Sequence, residues 1–167
     1  MASQPIEPMP SADGEDAAPT NGSTVDWTHL PDAVRSRLAE LASEAIGVLP
    51  RVDIPQQLRP VAKFAPAKRA RLGAGPIVSS LRDSAAFRTA VVEWAREHRP
   101  TVLDLGGADP VAVAAAAVLL GEESADHYLE LVSRRASDAT LRAERDAAVA
   151  RAEKIEAELG RVQSELL

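Results

Sequence analysis

The chain of 167 residues contains no cysteine, which excludes disulfide bonds and every metal site built on thiolate ligands. Its three histidines, His29, His98 and His127, are scattered along the sequence without the spacing of a metal-binding helix. We therefore expect the protein to bind no metal and no cofactor.

Aromatic residues are scarce as well, at 3% of the chain, whereas alanine and leucine are abundant. This composition suits helices and suits a β-sandwich poorly. The most apolar run, residues 111–120, has about half the length that a membrane-spanning helix needs. The first residues lack the basic and then apolar pattern of a signal peptide. The sequence therefore predicts an all-α, cytoplasmic protein with no membrane partner.

Composition divides the chain into three parts. Residues 1–24 contain four prolines and four acidic residues but no basic residue, which predicts a disordered acidic leader. Such a leader is either merely solvated or covers a basic patch on the same protein. Residues 25–136 are predicted to form a small helical bundle domain, because this length can bury a core. Residues 137–167 are predicted to form a coiled-coil helix.

Apolar spacing and capping residues predict the main helices of the bundle. The first should begin at Pro31 and end near Gly47, with its core face formed by Val34, Leu38, Leu41, Ala45 and Val48. A second should begin after Asp83 or Ser84 and end near His98, with its core face formed by Phe87, Val91, Trp94 and Ala95. These two faces would supply much of the core.

Two further helices are predicted after residue 108. Asp109 and Pro110 are a capping residue and a first-turn proline, and the helix that they open is apolar nearly all round as far as Gly121. It should therefore lie inside the domain. Ser124 should start the next helix, which presents Tyr128, Leu129 and Val132 on one face and either breaks near residue 137 or continues.

Five prolines punctuate residues 50–83. Because a proline removes a helix hydrogen bond and its ring clashes with the preceding turn, this spacing argues against a long helix. We expect instead short helices that start near Pro55, Pro66 and Pro76, each with its proline in the first turn.

The last thirty residues carry the clearest pattern in the chain. Apolar residues alternate at steps of four and three, which is the spacing of a two-row coiled-coil stripe. The seam, as we call this stripe, consists of Leu141, Arg145, Ala148, Ala152, Ile155, Leu159, Val162 and Leu166. Arg145 is its one charged member, and the seven apolar members are the predicted oligomerisation residues. So narrow a stripe needs another helix to cover it, and we expect that partner to be a second copy of the chain.

Positive charge is concentrated in residues 51–71, which carry a net charge of +5 in a chain whose net charge is −6. Such a cluster attracts phosphates. The predicted RNA-binding or phosphate-binding residues are Arg59, Lys63, Lys68, Arg69 and Arg71. Phe64 lies among them and is able to stack on a base. The alternative is a structural role, in which the aliphatic stems cover apolar surface and the charged groups pair with Glu40 or Glu44.

Residues 101–109 offer a weak sign of an enzyme. A strand over residues 101–105 followed by Gly106 and Gly107 would resemble the first motif of Rossmann-like methyltransferases, which bind S-adenosylmethionine. The further glycine usual in that motif falls at Asp109, and the flanking sequence predicts helices rather than the other strands of a parallel sheet. A loop in which Asp109 caps the next helix is the simpler interpretation, and we expect no catalytic activity.

Four stretches of the chain, residues 30–50, 58–72, 87–100 and 109–121, together with the following coiled coil, are similar to one known group of proteins. They resemble the N-terminal part of actinobacterial RNA-binding proteins with a PIN-like (NYN) domain. The resemblance implies a nuclease domain of α/β fold after the coiled coil, with acidic residues that hold a divalent metal. These 167 residues contain no matching strand motif or acid cluster, so no metal-binding or cleaving residue is carried over.

These observations together predict a non-catalytic, RNA-associated adaptor that oligomerises through its coiled coil. The alternative is a protein-only scaffold whose basic residues are structural. An enzyme that binds S-adenosylmethionine is a remote third possibility.

Overall fold

The computed structural model describes residues 25–167, so the predicted acidic leader lies outside the described residues. Over residues 25–167 the chain forms helices and turns and contains no β-strand, which confirms the predicted all-α fold. The α-helices are α1 (Asp32–Ile46), α2 (Pro66–Asp83), α3 (Ala85–His98), α4 (Pro110–Leu120) and α5 (Ala125–Glu165). Short 3-10 turns occupy Trp27–His29, Gln56–Leu58, Val61–Lys63 and Pro100–Leu103.

Helix α4 lies at the centre of the bundle, as its apolar sequence predicts. Residues 113–119 are all buried, and α4 packs against α1, α3 and the first part of α5. At its start the side chain of Asp109 accepts a hydrogen bond from the Val111 amide at 3.0 Å. At its end Gly121 adopts a φ of +71°, the left-handed conformation that glycine adopts without steric cost.

Helices α1 and α3 present the predicted faces to this centre. Of the predicted α1 residues, Val34, Leu38, Leu41 and Ala45 are buried, but Val48 is exposed because the helix ends at Ile46, before it. The four predicted α3 residues are all buried. Ser84 is the N-cap of α3, and its hydroxyl accepts a hydrogen bond from the Phe87 amide at 3.2 Å.

The prediction of separate short helices at Pro66 and Pro76 is wrong, because α2 runs from Pro66 through Pro76 to Asp83. A proline inside a helix costs about 3 kcal/mol. Two features offset this cost: the residue before the proline is Gly75, which has no Cβ to clash with the ring, and the next turns bury Ile77 and Leu81. The extensive packing of α2 on α1 therefore carries the helix past its proline.

The strand considered for residues 101–105 is also absent. Pro100–Leu103 form a 3-10 turn, and the following loop is held by the Asp104 carboxylate, which accepts a hydrogen bond from the Gly106 amide at 2.8 Å. Since the described residues contain no strand, Gly106 and Gly107 do not follow a strand as the methyltransferase motif requires. Asp109 caps α4, as the simpler interpretation predicts.

Helix α5 is one continuous helix of 41 residues, with no break near residue 137. At 1.5 Å per residue it is about 60 Å long. Only its beginning packs on the bundle, where Ala125 and Val132 are buried against neighbours that include α4. From residue 133 onward every side chain is exposed, so the rest of α5 forms an arm that extends beyond the bundle.

Candidate oligomerisation arm and basic surface

Seven of the eight seam residues lie on the exposed part of α5, and the eighth, Leu166, is its C-cap residue, directly after the last helical residue. The five large apolar side chains of the seam are between 47% and 81% exposed, namely Leu141, Ile155, Leu159, Val162 and Leu166. Ala148 and Ala152 are exposed as well, and Arg145 forms an ion pair with the adjacent Asp146 at 2.8 Å rather than with another helix. The arm does not fold back on the bundle, so nothing in the described chain covers the seam.

Outside the seam, the arm carries charged side chains that favour exposure to solvent. Ion pairs one turn apart join Arg134 to Glu130 at 2.6 Å and Arg161 to Glu165 at 3.9 Å, and such pairs support an exposed helix modestly. Apart from Val149 and several alanines, the arm outside the seam carries polar and charged side chains, and large apolar side chains exposed in one stripe mark a contact surface. The arrangement of α5 is therefore that of a helix whose remaining apolar surface requires a partner helix.

The predicted phosphate-binding residues do not form one site, and Arg69 is the clearest correction among them. Its side chain is only 4% exposed. Its guanidinium donates hydrogen bonds to the Ser43 carbonyl, to the Ala62 carbonyl at 3.0 Å and to the Phe64 carbonyl at 2.7 Å. Burial lowers the pKa of this guanidinium. Arg69 therefore has a structural role that joins α1, α2 and the turn before α2, but its partners are backbone carbonyls rather than Glu40 or Glu44.

Lys68 and Arg71 are exposed but point to different surroundings. The Lys68 ammonium lies 4.7 Å from the centre of the Phe64 ring, so this aromatic ring is already in contact with a cation of its own chain. Arg71 lines a groove of about 660 Å³ between α1 and α2, together with Glu40 and Glu44. The charge around that groove is therefore mixed, and both carboxylates also have arginine partners elsewhere: Arg37 lies 3.7 Å from Glu40, and Arg99 lies 2.5 Å from Glu44.

Arg59 and Lys63 do come together, and they are joined by a residue outside the predicted set. Along with Arg51 they line a depression of about 520 Å³, which we call the basic depression. Its other lining residues are Ile54, Gln56, Pro60 and Ala62, and none of these carries a negative charge. The turns at Gln56–Leu58 and Val61–Lys63 fold the segment back so that the three bases converge. Arg51 belongs to the basic segment of the sequence. The predicted set omits it because nothing in its spacing indicates that the chain folds back to bring it close to Arg59 and Lys63.

Other kinds of site are not found in the part of the chain that the structure describes. No three acidic or histidine side chains there are grouped so that they could hold a metal ion. Among helices α1 to α5, none has the length and apolar character needed to cross a membrane.

Comparisons with protein-family models, with curated proteins and with solved structures found no match. The resemblance to PIN-like (NYN) domain proteins therefore stays a prediction.

Proposed function

We propose that this chain is a non-catalytic adaptor that associates with a second copy of itself through the arm of α5. The observation that carries the proposal is the exposure of the seam on a continuous helix that leaves the bundle. Burying a large aliphatic side chain contributes about 1.5–3 kcal/mol, and association of two chains gives up translational and rotational freedom worth at least about 4 kcal/mol. Five such side chains in each chain are enough to favour association, although the alanine positions limit its strength.

Sedimentation of the full chain over a wide concentration range tests this proposal. The wild-type chain should form an oligomer, and the double variant Ile155→Asp, Leu159→Asp should remain monomeric because it places charges in the seam. The matched control is Ala157→Asp, Ser164→Asp, which adds the same two charges to the same helix but outside the seam. A wild-type chain that stays monomeric at the highest concentration, or a control that dissociates as readily as the seam variant, contradicts the proposal.

Binding of RNA through its phosphates is a second candidate function, favoured by the convergence of Arg51, Arg59 and Lys63 in the basic depression. Three bases around a concave surface that no described acidic residue lines attract polyanions, and the apolar lining provides a surface for a sugar or a base. With this function the protein would be an RNA-associated adaptor, whereas without it the protein would be a protein-only scaffold.

Filter binding of RNA at low and at raised salt distinguishes the two. Arg51→Glu, Arg59→Glu, Lys63→Glu should weaken binding at least about tenfold and flatten its salt dependence, because each lost phosphate contact reduces the release of counterions. The control Arg96→Glu, Lys154→Glu, Arg161→Glu makes the same change in net charge at exposed positions elsewhere. Equal losses in both variants, or no binding by the wild-type chain, would contradict a site at the basic depression. Arg69 is left out of the test because its replacement would disturb folding.

A further inference from the structure

The two rows of the seam differ in a way that selects the direction of the partner helix. The step from Leu141 to Arg145 is four residues, so Leu141 begins the d row and Arg145 begins the a row of the heptad. The d row is Leu141, Ala148, Ile155 and Val162, and the a row is Arg145, Ala152, Leu159 and Leu166. Apart from Leu141, the first half of the seam contains only small or charged residues, namely Arg145, Ala148 and Ala152. The second half contains only large apolar residues.

A parallel pair in register would bring identical residues together in each layer. Ala148 would face Ala148 and Ala152 would face Ala152 of the second copy, so two adjacent layers would be filled only by methyl groups. Arg145 would face Arg145 of the second copy, so two like charges would meet in the seam. These three layers occupy the first half of the arm and would pack poorly, since cavities and like charges both destabilise a contact.

An antiparallel pair brings the a row of one copy against the d row of the other. Only one register fills all eight layers, the one in which Ala152 faces Ile155 of the second copy. In that register Ala148 faces Leu159, Arg145 faces Val162, and Leu141 faces Leu166. Each alanine then lies opposite a large side chain, which is how facing helices interdigitate without voids. The Arg145 stem lies along a valine while its guanidinium reaches water.

We infer that two copies of this chain associate through α5 as antiparallel helices centred between residues 153 and 154. This inference rests on the proposed self-association and adds its geometry. Charges beside the seam are compatible with it: Arg151 lies next to Glu158 of the second copy, twice by symmetry. Glu144 and Glu165 form a like-charge neighbour pair at each end, where both side chains are exposed to screening by salt. Packing of the eight layers, rather than charge, therefore decides the direction.

The antiparallel order also places the two bundles far apart. Val132 is the last buried residue before the arm, and the two copies of Val132 would lie about 65 Å apart along the helix axes at 1.5 Å per residue. The assembly would be a rod with one bundle, and one basic depression, near each end. A parallel pair would instead put both bundles side by side at one end.

Spin labels on single cysteines test the direction directly, because these 167 residues contain no other cysteine that would react. Ala157→Cys and Ser164→Cys both lie on the side of α5 opposite the seam. In the antiparallel order the axial offset between the two labels is about 10 Å for Ala157→Cys and about 31 Å for Ser164→Cys, from the helical rise. The measured label separation should therefore increase clearly between the two variants. In a parallel pair it would be the same in both.

Disulfide formation provides an independent measurement. A mixture of Ala148→Cys and Leu159→Cys chains should give the mixed disulfide, while Ala148→Cys alone should give little, since its two copies lie about 16 Å apart along the axis. Strong cross-linking of Ala148→Cys alone, together with equal label separations, would overturn the antiparallel order and leave self-association standing. A chain that sediments only as a monomer would overturn both.

Discussion

The guanidinium of Arg69 on α2 donates a hydrogen bond to the backbone carbonyl oxygen of Ser43 on α1, in the buried region where the two helices meet. The same side chain donates to two carbonyls of the turn that precedes α2. A residue that the sequence offers as a phosphate ligand is therefore the link among three segments of the bundle. This relationship leads to the first prediction.

Replacing Arg69 with methionine should destabilise the fold by about 2–4 kcal/mol, because the buried Ser43 carbonyl is left without its charged donor and two part-buried carbonyls lose theirs as well. Urea denaturation followed by circular dichroism measures this difference. Arg71→Met is the control, since Arg71 is exposed and its replacement should change stability by less than about 0.5 kcal/mol. Equal stability of the two variants would contradict the structural role of Arg69.

Gly73 on α2 approaches the turn before the helix so closely that a Cβ added there would lie 2.6 Å from Cγ1 of Val61. Gly73→Ala should therefore destabilise the bundle by about 1–3 kcal/mol, even though alanine is the better helix former. Val61→Ala removes the opposing methyl groups, so the double variant should lose less stability than the two single changes added together. Strict additivity in this double-mutant cycle would show that the two residues are not in contact.

The N-cap hydroxyl of Ser84 should be worth about 1 kcal/mol to the bundle, since it accepts a hydrogen bond from an amide in the first turn of α3. Ser84→Ala should lower the midpoint of thermal unfolding, whereas Ser84→Asp, which keeps an acceptor at that position, should retain most of the stability. A midpoint for the aspartate variant as low as that of the alanine variant would mean that the side-chain acceptor is not what stabilises the start of α3.

Asp26 should titrate at an unusually low pH. Its carboxylate accepts hydrogen bonds from the Thr28 hydroxyl, which has the largest effect, and from the His29 ring and the Thr28 amide, and these hold its pKa at about 2 instead of 3.8. Because the pKa is lower in the folded chain, the contribution of this cap to stability is present above about pH 4 and is lost as the pH falls towards 2. Carbon-13 NMR of the carboxyl group measures the value. Thr28→Val should raise it towards 3.8, and an unchanged pKa would contradict this cause.

Local signals predicted most of the helices correctly, and for a clear reason. The starts of α3 and α4 depend on capping side chains only two or three residues away, at Ser84 and Asp109, so the information lies within the segment itself. The buried position of α4 likewise follows from an apolar surface that has no polar side. Pro76 misled the prediction because its local cost is outweighed by packing against α1, which the segment alone does not reveal.

The sequence by itself determined the all-α fold, the order of its main helices and the heptad seam on the last of them, because each of these depends on neighbours within one or two turns. Only the tertiary structure decided what the basic residues do. It buried Arg69 between helices, placed Arg71 beside carboxylates of α1, and gathered Arg51, Arg59 and Lys63 around one depression. A sequence gives only the order of the charged residues along the chain, whereas the environment of each charge depends on which distant segments pack around it.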